Sequence, residues 1–207
     1  MSNPVRMAVV GVGHLGRHHA RKIMASSRAV LVALIDLDKD RATAVAEELD
    51  ANVRIEQDLS AIAGELDAVV IAASTGAHHA LAITAAGLGL HALIEKPIAP
   101  TPTQAQAIVD AMRDAGCVLQ VGHTERFNPA VQSILDMCPV PLYVTAERLA
   151  PFSGRSIDVD VVLDLMIHDI DIVAALVASD VAEVRAVGVP ILTNETDMAS
   201  ARIAFAD

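Results

Sequence analysis

Three glycines set between two apolar runs restrict this chain more than any other feature. The first run, VRMAVV, leads into Gly11-Val12-Gly13-His14-Leu15-Gly16; a helical pattern then leads to VLVALI, which stops at Asp36. The order reads as strand, tight turn, helix and second parallel strand. A diphosphate needs bare backbone N–H groups at a helix start, and the glycines permit the turn, the close approach and the helix–strand packing. Asp36, at the tip of the second strand, can accept both hydroxyls of an adenosine ribose and would repel a 2′-phosphate. The unit therefore predicts a dinucleotide site built from Gly11, Gly13, His14, Leu15, Gly16 and Asp36, with NAD preferred over NADP. A glycine turn in some other α/β protein is the competing reading.

The pattern continues as alternating strands and helices. Residues 15–25 read as a helix in which His18 and His19 are polar-face or packing residues rather than ligands. Asp38 can cap a helix running to about Glu48, NVRI is a short third strand, and LSAIAGE is a brief helix. AVVIAA has the unbroken apolar character of a parallel strand covered on both faces. Ser74, Thr75 and Gly76 follow as a loop at its carboxyl end, on the dinucleotide side. His78 opens the next helix, and lining the cofactor cleft or solvating a helix start are equal readings of it. HALI is the fifth strand and ends in Glu95-Lys96-Pro97. Thr101, Pro102 and Gln104 form the start of another helix, Gly116 stops it, and CVLQVG is the sixth strand. The expected fold is α/β, a doubly wound parallel sheet of order 3-2-1-4-5-6 over residues 1–122. Residues 123–207 read as the beginning of an α+β domain with an open sheet. It contains a strand over residues 141–152, a helix over 164–176, and two strand-like runs after Asp180.

Composition narrows the function. With 207 residues and 53% hydrophobic content, the chain can bury a sizeable core. A net charge of -11, without a basic stripe, argues against nucleic acid or an anionic membrane as partner. Cys117 and Cys138 fit neither a disulfide framework nor a thiolate metal site. No leader-like or membrane-spanning run is visible, so a soluble, cytoplasmic protein is expected.

Two clusters could carry chemistry. Lys96 follows a buried strand on the edge that also carries residues 11–16 and Ser74, where ligands of open α/β sheets bind; a solvated turn is the alternative. Pro97 locks the backbone behind it, through a cis or a trans bond. In VVLDLMIHDIDIV the polar residues are Asp164, His168, Asp169 and Asp171, and an α-helical period puts Asp164, His168 and Asp171 on one face. The remaining Val, Leu, Met and Ile positions should bury the other faces. An exposed polar stripe competes with this reading. A divalent ion is a further alternative, but no additional acid or histidine lies near enough in sequence, so no metal is expected.

The ordered set GVGHLG (11–16), IAASTGAHH (71–79), EKP (95–97), GHTERFNP (122–129) and DLMIHDID (164–171) resembles the glucose–fructose oxidoreductase / inositol dehydrogenase (Gfo/Idh/MocA) family of NAD(P)-dependent oxidoreductases. The resemblance covers essentially the whole chain. It implies that Lys96 is the catalytic lysine, Asp164 the substrate-binding and orienting acid, and His168 the general acid/base. Ser74, Thr75, His78, Glu95 and Lys96 would border the cofactor. Ser74 stands where the family often has proline, and Val161 and Val162 where many members have glycine. Within the family, RLAPFSGRS and DVDVVLDLMIHDID look most like members that oxidise nucleotide-linked amino sugars, with Arg148 and Arg155 as candidates for the acidic side of such a substrate. Inositol or a simple hexose is the alternative substrate, and a non-catalytic NAD-binding sensor the alternative function. The family's larger second domain implies that this sequence is part of a longer, homo-oligomeric protein.

Overall fold

The computed structural model describes residues 3–137, 140–151 and 160–206. The chain divides into two units, residues 1–122 and 123–207. In the first, β1 (Val5–Val10), β2 (Ala29–Ile35), β3 (Arg54–Glu56), β4 (Ala68–Ile71), β5 (His91–Ile94) and β6 (Leu119–Val121) form a parallel sheet of order β3-β2-β1-β4-β5-β6. Helices α1 (His14–Met24), α2 (Lys39–Glu48), α3 (Thr75–Gly87) and α4 (Pro102–Asp114) connect the strands, and Leu59–Glu65 forms a 3-10 turn.

The unbroken apolar runs follow from coverage of both sheet faces. Along β1, Ala8 and Val10 enter one core with Ile35, Val69, Ile71, Ala82 and Ile108. Val9 points the other way, into a core with Leu34, Val70, Ala20, Ile23 and Val45. Local signals agree with this packing: the Asp38 carboxylate accepts the Arg41 N–H, and the Thr101 hydroxyl accepts the Gln104 N–H with Pro102 opening α4. The helix after β4 begins at Thr75, three residues earlier than expected, so Ser74 is its N-cap.

The second unit contains a 3-10 turn (Thr124–Phe127), α5 (Pro129–Met137), a π-helical turn (Val162–Met166) running into α6 (Ile167–Val177), and an antiparallel pair, β7 (Val181–Val189) with β8 (Met198–Phe205). Asp160 starts the helical segment: its carboxylate accepts the Leu163 N–H and its carbonyl the Asp164 N–H, each at 2.9 Å. Asp197 closes the β7–β8 connection. Its carboxylate collects the N–H groups of Ile191, Leu192 and Thr193 at 2.7–2.8 Å and the Thr193 hydroxyl at 2.8 Å. These bonds, that of Thr193 foremost, hold the Asp197 carboxyl well below the usual carboxylate range.

Three expectations are corrected here. Residues 140–151 form no strand; Leu142, Tyr143 and Leu149 are exposed, and β7 and β8 pair only with each other among the described strands. The helix over 164–176 is not uniformly α-helical, because the π turn at Val162–Met166 widens its first turn. Its apolar positions are half-buried or exposed, and neither segment contains a buried residue. Cys138 and Arg155 lie outside the described residues.

Candidate functional site: a glycine turn, a fixed carboxylate and a lysine turn

The glycine turn is held by contacts that leave no room for side chains at two of its three glycines. Gly11 adopts φ +82°, and a Cβ there would lie 2.5 Å from the Ala73 backbone. A Cβ on Gly16 would stand 1.9 Å from the Gly11 carbonyl oxygen. Gly13 differs: nothing lies within 4 Å of where its Cβ would be. It is the N-cap of α1 and brings no side chain to the N–H groups that open the helix. His14 and Leu15 form the exposed first turn behind it. The arrangement is a backbone cradle at the positive end of a helix, with open space at its middle glycine.

Asp36 is fixed by that turn. One carboxylate oxygen accepts the Val12 N–H at 2.9 Å and the other accepts the Asp38 N–H at 2.9 Å. The residue is 9% exposed. Each oxygen keeps lone-pair capacity beyond its one backbone bond, which suits a pair of ribose hydroxyls. Arg41 stands 3.7 Å from the same carboxylate and pairs with Asp38 at 3.2 Å.

Beyond β5 the chain turns at Glu95-Lys96-Pro97, where the Lys96–Pro97 peptide is cis. Lys96 is half-buried and Pro97 buried. His78 is only 1% exposed; its ring nitrogens lie 2.9 Å from the Pro97 carbonyl oxygen and 3.0 Å from that of Ala73. The ring therefore spans from the lysine turn to Ala73, two residues past β4 and next to Ser74, and does not solvate a helix start. Glu95 is also enclosed, with His19 of α1 at 2.6 Å and the Lys96 N–H at 3.3 Å. Sequence reading missed this use of His19, whose partner is distant in the chain.

In the second unit, Asp164 lies in the π turn and His168 in the first turn of α6; both are half-buried. Asp169 and Asp171 of this helix pair with arginines. Arg126 forks onto Asp171 with two 2.8 Å bonds, and Arg148 onto Asp169 at 2.8–3.2 Å. Arg148, expected as a phosphate contact, is thus engaged within the protein, and Asp171 anchors the arginine of the GHTERFNP block. Among the described residues, no group of three or more His, Cys, Asp or Glu could hold a metal ion, and no helix is long and apolar enough to cross a membrane.

Comparison with known proteins places this geometry in a family. UDP-N-acetylglucosamine 3-dehydrogenase of Acidithiobacillus ferrooxidans is 42% identical over 198 residues, covering 95% of this chain and 62% of that protein. A scyllo-inositol 2-dehydrogenase (NAD(+)) of Bacillus subtilis is 31% identical over 204 residues, covering 91% of this chain and 58% of its own length. A solved structure of the A. ferrooxidans enzyme superimposes with a TM-score of 0.90 at 41% identity, over 99% of this chain and 64% of that one. The chain therefore spans less than two thirds of the length of these relatives. Residues 5–123 match the family described as "Oxidoreductase family, NAD-binding Rossmann fold". On this match the chain belongs to the Gfo/Idh/MocA oxidoreductase family.

Proposed function

We propose that the protein is an NAD-dependent dehydrogenase acting on a ring secondary alcohol of a sugar, and that its substrate is a nucleotide-linked amino sugar. The observation that carries the reading is the 42% identity, across 95% of this chain, to a protein named UDP-N-acetylglucosamine 3-dehydrogenase. Inositol dehydrogenases are more distant, at 31% identity or below among the relatives found. The residues fit the cofactor: Gly13 leaves open space at the helix start, and Asp36 is held with oxygens suited to ribose hydroxyls.

NAD, when bound, supplies the hydride acceptor. In the proposed mechanism His168 takes the proton of the reacting hydroxyl as general base. The Lys96 ammonium hydrogen-bonds the same oxygen and stabilises the negative charge that develops on it. Asp164 holds the sugar and orients His168. Ser74 and Thr75 border the nicotinamide side.

Single-turnover hydride transfer in the full-length protein, with a UDP-linked amino sugar and with inositol, tests the reading. Lys96→Ala should slow transfer about 10²–10³-fold while leaving NAD affinity nearly unchanged. His168→Ala should cost roughly 10²–10⁴-fold. Faster transfer with inositol than with the nucleotide sugar would overturn the substrate class. Near-native transfer in both variants would overturn the assignment of Lys96 and His168. No transfer with any sugar, despite normal NAD binding, would favour a sensor.

A further inference from the structure

We propose that His19 is a positioning residue for Lys96, acting through the carboxylate of Glu95. The proposal rests on the reading of Lys96 as the residue that stabilises charge on the substrate oxygen. It starts from a carboxylate that the sheet itself does not need. Glu95 follows the last residue of a strand reading HALI and is only 6% exposed. A buried carboxylate is costly unless it is paired and hydrogen-bonded.

The structure encloses that carboxylate on three sides. The imidazole Nε2 of His19 lies 2.6 Å from one oxygen, and the Lys96 N–H lies 3.3 Å from the other. On the third side stands Gly122, where a Cβ would come within 2.8–3.0 Å of both carboxylate oxygens and their carbon. The bare backbone after β6 is therefore part of the same enclosure. One carboxylate oxygen holds the backbone of Lys96 while the other is held from α1.

His19 is three residues beyond Gly16 on the helix that opens at the glycine turn. Helix α1 thus has two tasks. Its first turn follows the glycine cradle, and its next turn fixes the residue that precedes Lys96. Losing the imidazole would leave a buried carboxylate without its shortest bond. Glu95 would then move toward water, and the Lys96 backbone would lose its orientation. Misplacement of a catalytic group by about 1 Å can cost on the order of 10²-fold in rate.

The test is a set of variants of the full-length protein, read by single-turnover hydride transfer, KM and NAD affinity. His19→Ala should lower the hydride-transfer rate about 10–100-fold, with NAD affinity and KM little changed. His19→Gln, whose amide can still donate to Glu95, should restore most of the rate. Glu95→Gln keeps the shape and removes the charge; it should reproduce the rate loss, and it reads the same link if His19→Ala does not accumulate as folded protein. In a Lys96→Ala background, His19→Ala should slow transfer no further, because its effect passes through Lys96. A full additional loss in that background, or near-native rates in both His19→Ala and Glu95→Gln, would overturn the proposal while leaving the role of Lys96 intact. A Lys96→Ala variant that itself transfers hydride at a near-native rate would instead overturn the reading on which the proposal rests.

Discussion

β4 and β7 are both rich in valine and alanine, yet they end in opposite environments. Every residue of β4 is buried, whereas all nine of β7 are exposed. The difference is cover. β4 lies between β1 and β5, with one core on each face. β7 pairs only with β8 among the described strands. Their register puts Val184, Ala186, Ile203 and Ala201 on one face and Glu183, Arg185, Val187 and Arg202 on the other. Apolar composition supplies a surface that gains by burial, and only a neighbouring layer converts it to a core.

The comparison breaks most readily at Ile71. Replacing this fully buried residue with Ala should destabilise the first unit by about 2–5 kcal/mol, through lost transfer energy and the cavity left behind. Chemical denaturation followed by circular dichroism would show it. A smaller loss is expected from Gly16→Ala, where the new methyl meets the Gly11 carbonyl oxygen; overpacking of this kind typically costs about 1–3 kcal/mol. Its melting temperature should fall, and a wild-type value would mean the turn is looser than its contacts imply.

Each unit also carries an acid whose ionised form organises backbone. In the first unit, the side-chain bonds from Arg6, with the Arg6 N–H, pull the Asp67 carboxyl down to about 2 from an ordinary 3.8. A depressed native value stabilises the fold above the unfolded value, and that contribution fades as pH falls from 3.8 toward about 2. Asp67→Asn should therefore flatten the acid limb of a denaturant-midpoint profile in that window. A limb unchanged from wild type would show that the Arg6 pair adds no stability. The smallest effect should come from β7, where Val187→Ala should stay within about 0.5 kcal/mol. A loss there matching Ile71→Ala would mean that β7 is packed in solution.

The first unit was legible because its signals were local and mutually consistent. Glycines, caps and strands covered on both faces each pointed to the same sheet, and the strand order 3-2-1-4-5-6 followed from them. The second unit was less legible. Residues 141–152 look strand-like, but a strand exists only where a neighbour supplies its hydrogen bonds. The π turn at Val162–Met166 is invisible to a pattern read at 3.6 residues per turn. Asp169 and Asp171 found arginines 21 and 45 residues away, and His19 found Glu95 76 residues away. The chemistry of such side chains can be listed from sequence, but their choice of partner depends on the fold.

The central claim is that the glycine turn and Asp36 form an NAD site, and Gly13 tests it most directly. A methyl group at this position meets no protein atom within 4 Å beyond its chain neighbours, so Gly13→Ala should lower the melting temperature only slightly, by the small cost of alanine at a helix N-cap. The methyl would occupy the space assigned to the diphosphate. Calorimetric titration of wild type should show NAD binding about 10²-fold tighter than NADP, since a 2′-phosphate would face the Asp36 carboxylate. Gly13→Ala should lose most of that NAD affinity while remaining stably folded. Undiminished NAD binding in a stably folded Gly13→Ala variant would contradict the account.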